Sequence, residues 1–93
     1  MIIGALEIRL VLHDAQTRKD KRRVITSLKD RMRRNFNVSV AEVGGQELIK
    51  SATLGVVQVS NDSRYVNGSL DKVVDMVRRF PAVQLVDYHI EML

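Results

Sequence analysis

Cysteine is absent from this 93-residue chain. That single fact removes disulfides, thiolate zinc sites, iron–sulfur ligation and cysteine nucleophiles together, and with them the small secreted scaffold that depends on cross-links. Proline occurs once and glycine five times, too few for a disordered linker or a loop-rich fold. No apolar run reaches the roughly 18 residues that a membrane span requires. The opening stretch to Leu12 has no basic segment ahead of its apolar residues and carries Glu7 and Arg9 within them, which is unlike an export signal. These absences together predict a cytoplasmic protein without a membrane segment.

Apolar residues make up 45% of the chain and charged ones 28%, ordinary globular proportions. A chain this short buries about 60 to 65% of its unfolded surface, so one modest core in a single domain spanning residues 1–93 is expected. The formal charge of +4 is unevenly placed. Nine Lys/Arg and two Asp lie between Arg18 and Arg34, which leaves six Lys/Arg against nine Asp/Glu in all the rest. A basic segment on a slightly acidic body creates a local field that draws anions.

From Ile2 to Leu12, apolar side chains at Ile2, Leu6, Ile8, Leu10 and Leu12 flank Glu7 and Arg9, the period of two that predicts a half-buried strand. Thr17 followed by Asp20 is a helix-start pattern, the hydroxyl capping a free amide and the carboxylate favouring the positive end of the dipole. Val24, Ile25, Leu28 and Met32 continue at helical spacing, so a helix is predicted from Arg18 to Asn35. Alternation returns from Phe36 to Val43, with Phe36, Val38 and Val40 on one face. Gly44-Gly45 then breaks the strand and opens a connection through Gln46 to Lys50, mobile or briefly helical. Ala52 to Val59 is a third strand with apolar residues on both faces, as in a central strand. Ser60-Asn61-Asp62 starts a second helix in which Val66, Leu70, Val73, Val77 and Phe80 share a face, until Pro81 ends it. The last strand runs from Val83 to Leu93, with Val86, Tyr88, Ile90 and Met92 alternating against Asp87, His89 and Glu91.

The resulting βαββαβ order, with right-handed crossovers, leads to an α+β fold of the ferredoxin-like kind. This is a two-layer sandwich with an antiparallel four-stranded sheet in the order 4-1-3-2 and both helices on one face. In that topology the start of the first helix, the end of the second and the connection between strands two and three meet at one end. Arg18, Lys19, Arg22 and Arg23 would there be joined by Arg78 and Arg79, with Lys50 reaching in. Cations in a first turn oppose the helix dipole unless an anion is near, so free helix amides with convergent Arg and Lys side chains make a phosphate or carboxylate site. A wheel centred on Leu28 sets Lys19, Arg23, Asp30 and Arg33 opposite the core and Arg22, Lys29 and Arg34 on the flanks. Lys21 lies on the core side and must snorkel past the sheet edge. The bland alternative is a solvated helix face.

Catalysis finds little support. His13 and His89 fall on separate parts of the sheet, so a shared metal is not expected; serine-nucleophile, Walker and HExxH patterns are missing. The segment from His13 to Thr17 lacks the glycine that a phosphate-wrapping loop needs. No catalytic residue, cofactor or metal is therefore expected, and a small-anion hydrolase ranks well behind a binding role. The first and third strands contain no aromatic residue, so RNA would be held by phosphate contacts and shape rather than by stacking on the sheet. Phe36, Phe80 and Tyr88 are assigned to the core, and Tyr65 is left open between core and surface. On the outer sheet face, Ile3, Ala5, Val11, Val57 and Val59 form an apolar strip whose simplest partner is a second copy, with Ile3, Ala5, Val57 and Val59 as the dimer interface.

Three segments carry a resemblance to a known family. Thr17-Arg18-Lys19-Asp20-Lys21-Arg22-Arg23 resembles the S-L-K-D-K-R-R of the YlxP-like family of small bacterial proteins, departing from it at Thr17 and Arg18. Asn37 to Val43 is similar to that family's second-strand signature, and Ala52 to Val56 with Ser60-Asn61-Asp62 to its third strand and following turn. The resemblance covers essentially the whole chain. It implies a ferredoxin-like fold, no established catalytic activity, and genes that in many bacteria lie near those for translation initiation and ribosome maturation.

Two functions follow as expectations. One is a non-catalytic module bound to RNA or the ribosome through Arg18, Lys19, Lys21, Arg22, Arg23, Arg78 and Arg79. The other is a homodimeric interaction domain that uses the sheet face.

Overall fold

The computed structural model describes residues 1–93. Strand β1 (Ile2–Val11) leads to helix α1 (Arg18–Asn35), β2 (Ser39–Gly44) and β3 (Ser51–Ser60) follow, and helix α2 (Ser63–Arg78) returns to β4 (Gln84–Met92). All pairings are antiparallel and the sheet order is β2-β3-β1-β4, the 4-1-3-2 arrangement of a ferredoxin-like sandwich. Alternation in the central strands sets the core. Leu6, Ile8 and Leu10 from β1 and Ala52, Leu54 and Val56 from β3 point at the helices, and Ile25, Leu28 and Met32 of α1 and Val66, Leu70, Val73, Val74 and Val77 of α2 meet them. The opposite face of the sheet carries no helix.

The strands depart from simple alternation in three places. Strand β2 begins at Ser39 rather than Phe36, because Phe36 closes α1 by donating its amide to the Met32 carbonyl and Val38 then bonds back to Phe36. Gly44 stays within β2 behind a bulge at Val43, and it is Gly45, at φ 73°, that makes the turn. In β4 the partner of Arg9 is Asp87 but the partner of Leu10 is Leu85, so Val86 is the extra residue of a bulge and lies 55% exposed. Leu85 takes the inward place expected of Val86, since one inserted residue flips every side chain beyond it. Tyr88 does face the helix side, but on an edge strand it stays 39% exposed, with the Arg78 guanidinium 5.4 Å over its ring. Phe80 is buried, and Phe36 is only partly so.

Lys21 ties α1 to the sheet. It points inward from the first turns of the helix and is 5% exposed. Its ammonium reaches the Glu42 carboxylate at 2.9 Å, the Gly45 carbonyl at 2.7 Å and the Leu48 carbonyl. Two hydrogen bonds to carbonyls and an ion pair thus surround the charge, the kind of setting in which a buried ammonium is tolerated. The Gly45–Lys50 connection, expected to be mobile or briefly helical, is instead a turn closed by Leu48 on Gly45 and fastened to α1 by this side chain.

Two glycines show opposite constraints. A methyl group on Gly4 would collide with Val66 and Leu70 of α2, so β1 and α2 approach closely there, whereas Gly68, in the middle of α2, has nothing within 4 Å of where its Cβ would stand. Gly4→Ala should therefore destabilise the protein by about 1–3 kcal/mol through overpacking. Gly68→Ala should stabilise it by about 0.5–1 kcal/mol through helix propensity, both read from urea denaturation. Lys21→Met, which strands Glu42 and two carbonyls, should cost about 2–4 kcal/mol in the same assay, somewhat below a fully buried pair because Glu42 keeps partial contact with water.

Candidate functional site

The amides around the start of α1 are partly served from within the chain, those of Arg18 and Lys19 staying free. The Thr17 hydroxyl accepts from the Asp20 amide at 3.0 Å, and the Asp20 carboxylate accepts from the Gln16 and Thr17 amides at 3.0 and 3.2 Å, a complete capping box. The Gln16 amide above all holds the Asp20 carboxyl below its ordinary value of 3.8; desolvation opposes it, and the Thr17 amide and hydroxyl and the Arg23 charge add to the lowering. Because folding lowers this pKa, the carboxylate adds stability above pH 3.8, and that contribution is lost as pH falls through the lowered value. The anion that the dipole attracts at this helix end is thus intramolecular. An external anion at this end would meet only the Arg18 and Lys19 amides, with the Asp20 carboxylate beside them.

The cations spread along the helix instead. Lys19, Arg22, Arg23 and Arg34 line one shallow channel on the outer face of α1, with Thr26, Ser27 and Asp30 between them. The period places these residues on one stripe, at i, i+3, i+4 and beyond. Arg18, Arg22 and Lys29 line a second channel between α1 and the edge of β2, closed by Glu42 and Gln46. Arg18, Lys19, Arg22, Arg23, Lys29 and Arg34 have no carboxylate within 4 Å, since the three ion pairs of the molecule are Lys21–Glu42, Arg33–Asp30 and Arg78–Asp75. Arg33, expected on the solvent side, reaches back to β2 and donates to the Val40 carbonyl at 3.0 Å.

Of the other residues expected in the anion site, Lys21 lines the second channel beside Arg18 and Arg22, but its ammonium is held by Glu42 and the turn after β2, and two stand elsewhere. Arg78 is held by Asp75 at 3.4 Å and lies over Tyr88 on the far edge of the sheet. Arg79 lines a hollow with Arg31, Asn35 and Lys72. The reason is an offset between the helices. The Arg31 guanidinium lies 5.5 Å over the Phe80 ring, so the end of α2 abuts the second half of α1, some 20 Å of helix beyond Arg18 at 1.5 Å per residue. Lys50 does lie at the α1 end, but its ammonium is donated to the His13 carbonyl at 2.8 Å.

The outer sheet face keeps its expected strip. Ala5 pairs with Val57 and Ile3 with Val59 across β1 and β3, and Val57 and Val59 are 43% and 52% exposed. Val43, pushed outward by the β2 bulge, leans over Gly55 and enlarges the strip. His89 stands opposite Glu7 on the same face, while His13 meets the Gln84 side chain at the far end. No group of three His, Asp or Glu side chains comes together, and no helix is long and apolar enough to cross a membrane.

Two designed or natural structures share the backbone. A de novo designed protein, Foldit4, superimposes with a TM-score of 0.55 at 13% identity, covering 98% of this chain and 96% of that one. SnoaB, a cofactor-independent oxygenase from Streptomyces nogalater, gives 0.56 at 11% identity, covering 98% and 90%. At such identities the likeness is one of fold alone. In sequence, the chain is 29% identical over 83 residues to the uncharacterized protein YlxP of Bacillus subtilis (strain 168), 89% of this chain and 90% of that protein. The model of the family described as protein of unknown function DUF503 matches residues 3–90, and the chain belongs to that family.

Proposed function

We propose that this protein is a non-catalytic RNA-binding module, working on free or ribosomal RNA, whose contact surface is the exposed length of α1. The observation that carries the reading is the row of cations lining the two α1 channels, Arg18, Lys19, Arg22, Arg23, Lys29 and Arg34, with no carboxylate partner. They extend over roughly 24 Å of helix at 1.5 Å per residue. Like charges at i, i+4, such as Arg18 with Arg22 and Lys19 with Arg23, each oppose the helix by about 0.2–0.5 kcal/mol, and a polyanion laid along the stripe turns that repulsion into attraction. Thr26 and Ser27 place hydroxyl donors between the cations, which suits phosphate oxygens. A catalytic reading gains no footing in the loop before α1, where Asp20 occupies the Gln16 and Thr17 amides.

A second reading, a homodimer formed through the bare sheet face, draws on the cross-strand register that gathers Ile3, Ala5, Val57 and Val59 into one apolar strip beside Val43. Flat apolar strips on an open sheet are covered most simply by a two-fold copy of themselves. The two readings use opposite layers of the molecule and are separable by mutation.

Titration of a fluorescent single-stranded RNA at several salt concentrations tests the first. Binding should show a log–log salt slope of about −2 or steeper, the mark of roughly three or more phosphates, and should be lost in the Lys19→Glu/Arg22→Glu/Arg23→Glu variant. A folded wild type that binds no RNA would end this reading. For the second, sedimentation should report a dimer that Val57→Asp converts to monomer while the triple α1 variant leaves it intact; a monomeric wild type at about 100 μM, far above the dissociation constants of standard-size interfaces, would dispose of it.

A further inference from the structure

The groove where the end of α1 meets α2 combines aromatic rings with cations. Its upper part is lined by Asn35, Phe36, Arg64, Tyr65, Ser69 and Lys72, with Gly68 at its floor and a volume of about 340 Å³. A second hollow shares Asn35, Phe36 and Lys72 with it and continues to Arg31, Met76 and Arg79. Two of the chain's four aromatic rings thus lie together at a groove bordered by cations. Tyr65 is 58% exposed and Phe36 is half-buried at the exit of α1. Arg64, Lys72 and Arg79 have no carboxylate within 4 Å.

Gly68 gives the groove its depth. No neighbour requires a glycine there, since its missing Cβ would stand in open space, and a glycine in the middle of a helix lowers helix stability. Tyr65, Gly68 and Lys72 follow at i, i+3 and i+7, so the vacant position lies directly between an aromatic ring and a cation on one face of α2. Asn35 fixes the polarity of the opposite wall. Its amide nitrogen donates to the Arg31 carbonyl at 2.9 Å, and its side-chain oxygen is left as an acceptor without a partner in the chain.

Resting on the RNA reading above, we propose that this groove receives one unpaired base of a single strand whose backbone runs along α1. Tyr65 and Phe36 supply the stacking faces, Asn35 accepts from an exocyclic amine, and Arg64 and Lys72 take the flanking phosphates. Arg34, the last cation of the α1 stripe, and Asn35, which lines the groove, are adjacent in the last turn of α1, so the stripe and the groove meet at the same end of that helix on neighbouring faces. The arrangement is that of single-strand binders, which join a cationic track to aromatic stacking platforms, built here on the helix layer rather than on the sheet.

The test compares a single-stranded RNA of twelve nucleotides, an abasic strand of the same length, and a duplex, using the wild type, Tyr65→Ala, Tyr65→Phe and Gly68→Leu. The wild type should bind the base-bearing strand about tenfold or more tighter than the abasic strand or the duplex, in line with stacking of one base. Tyr65→Ala and Gly68→Leu should each reduce it to the abasic level with an unchanged salt slope, and Tyr65→Phe should restore it. Tyr65 is exposed and Gly68 faces open space, so all three variants keep the fold. Equal affinity for base-bearing and abasic strands, unaffected by either variant, would overturn the base pocket while leaving the α1 surface standing. Failure of the wild type to bind any RNA would overturn both.

Discussion

Everything on the charged side of this molecule depends on one buried ammonium. Lys21 is the cation of α1 that the helical period turns toward the sheet, and it can be there only because Glu42 and two carbonyls of the turn after β2 converge on it. A lone charge at that depth would be prohibitively costly; with two carbonyls and a carboxylate around it, it becomes a fastening. It fixes the rotation of α1 about its own axis, and that rotation sends Arg18, Lys19, Arg22 and Arg23 to solvent. It also holds Gln46 beside the channel that Arg18, Arg22 and Lys29 line. Loss of this contact would release the turn and free α1 to roll, blurring the stripe of charge that the proposed function requires.

The capping box at Thr17 and Asp20 solves a separate problem. Two cations in the first turn of a helix oppose its dipole, and a carboxylate bonded to the Gln16 and Thr17 amides offsets them from inside the chain. The helix start is therefore stable without a ligand, and the unpaired charge is distributed down the length of α1 rather than focused at its tip. A distributed track suits a polyanion better than a single phosphate. The central strands contribute in a different way, by offering no aromatic residue on β1 or β3 on which a base could stack.

Much of this was legible in the chain itself. The bounds of α1, from the Thr17 cap to Asn35, and the βαββαβ order follow from periodicity and helix-start chemistry, because those signals are local. The apolar strip of Ile3, Ala5, Val57 and Val59 follows from strand parity once the order is known. What escaped were features set between elements. The β4 bulge at Val86 replaces one apolar residue with another, Leu85, and so leaves no trace in composition. The offset of the helices, which removes Arg78 and Arg79 from the α1 cluster, arises from how far α2 runs along α1 and not from either sequence alone. The capture of Lys21 depends on carbonyls of a distant turn. Gly68 carries no signal in the sequence beyond a glycine's low helix propensity, because only the packed structure shows that nothing fills the space beside it.

The most direct test of where this protein works is a backbone-amide NMR titration with a short single-stranded RNA, since it reports on both layers at once. The account predicts progressive shifts at the amides of Arg18 to Asn35, together with Tyr65, Gly68, Ser69 and Lys72 on α2, and little change at Ala5, Val57 and Val59. Shifts concentrated on the outer faces of β1 and β3, with α1 silent, would contradict it.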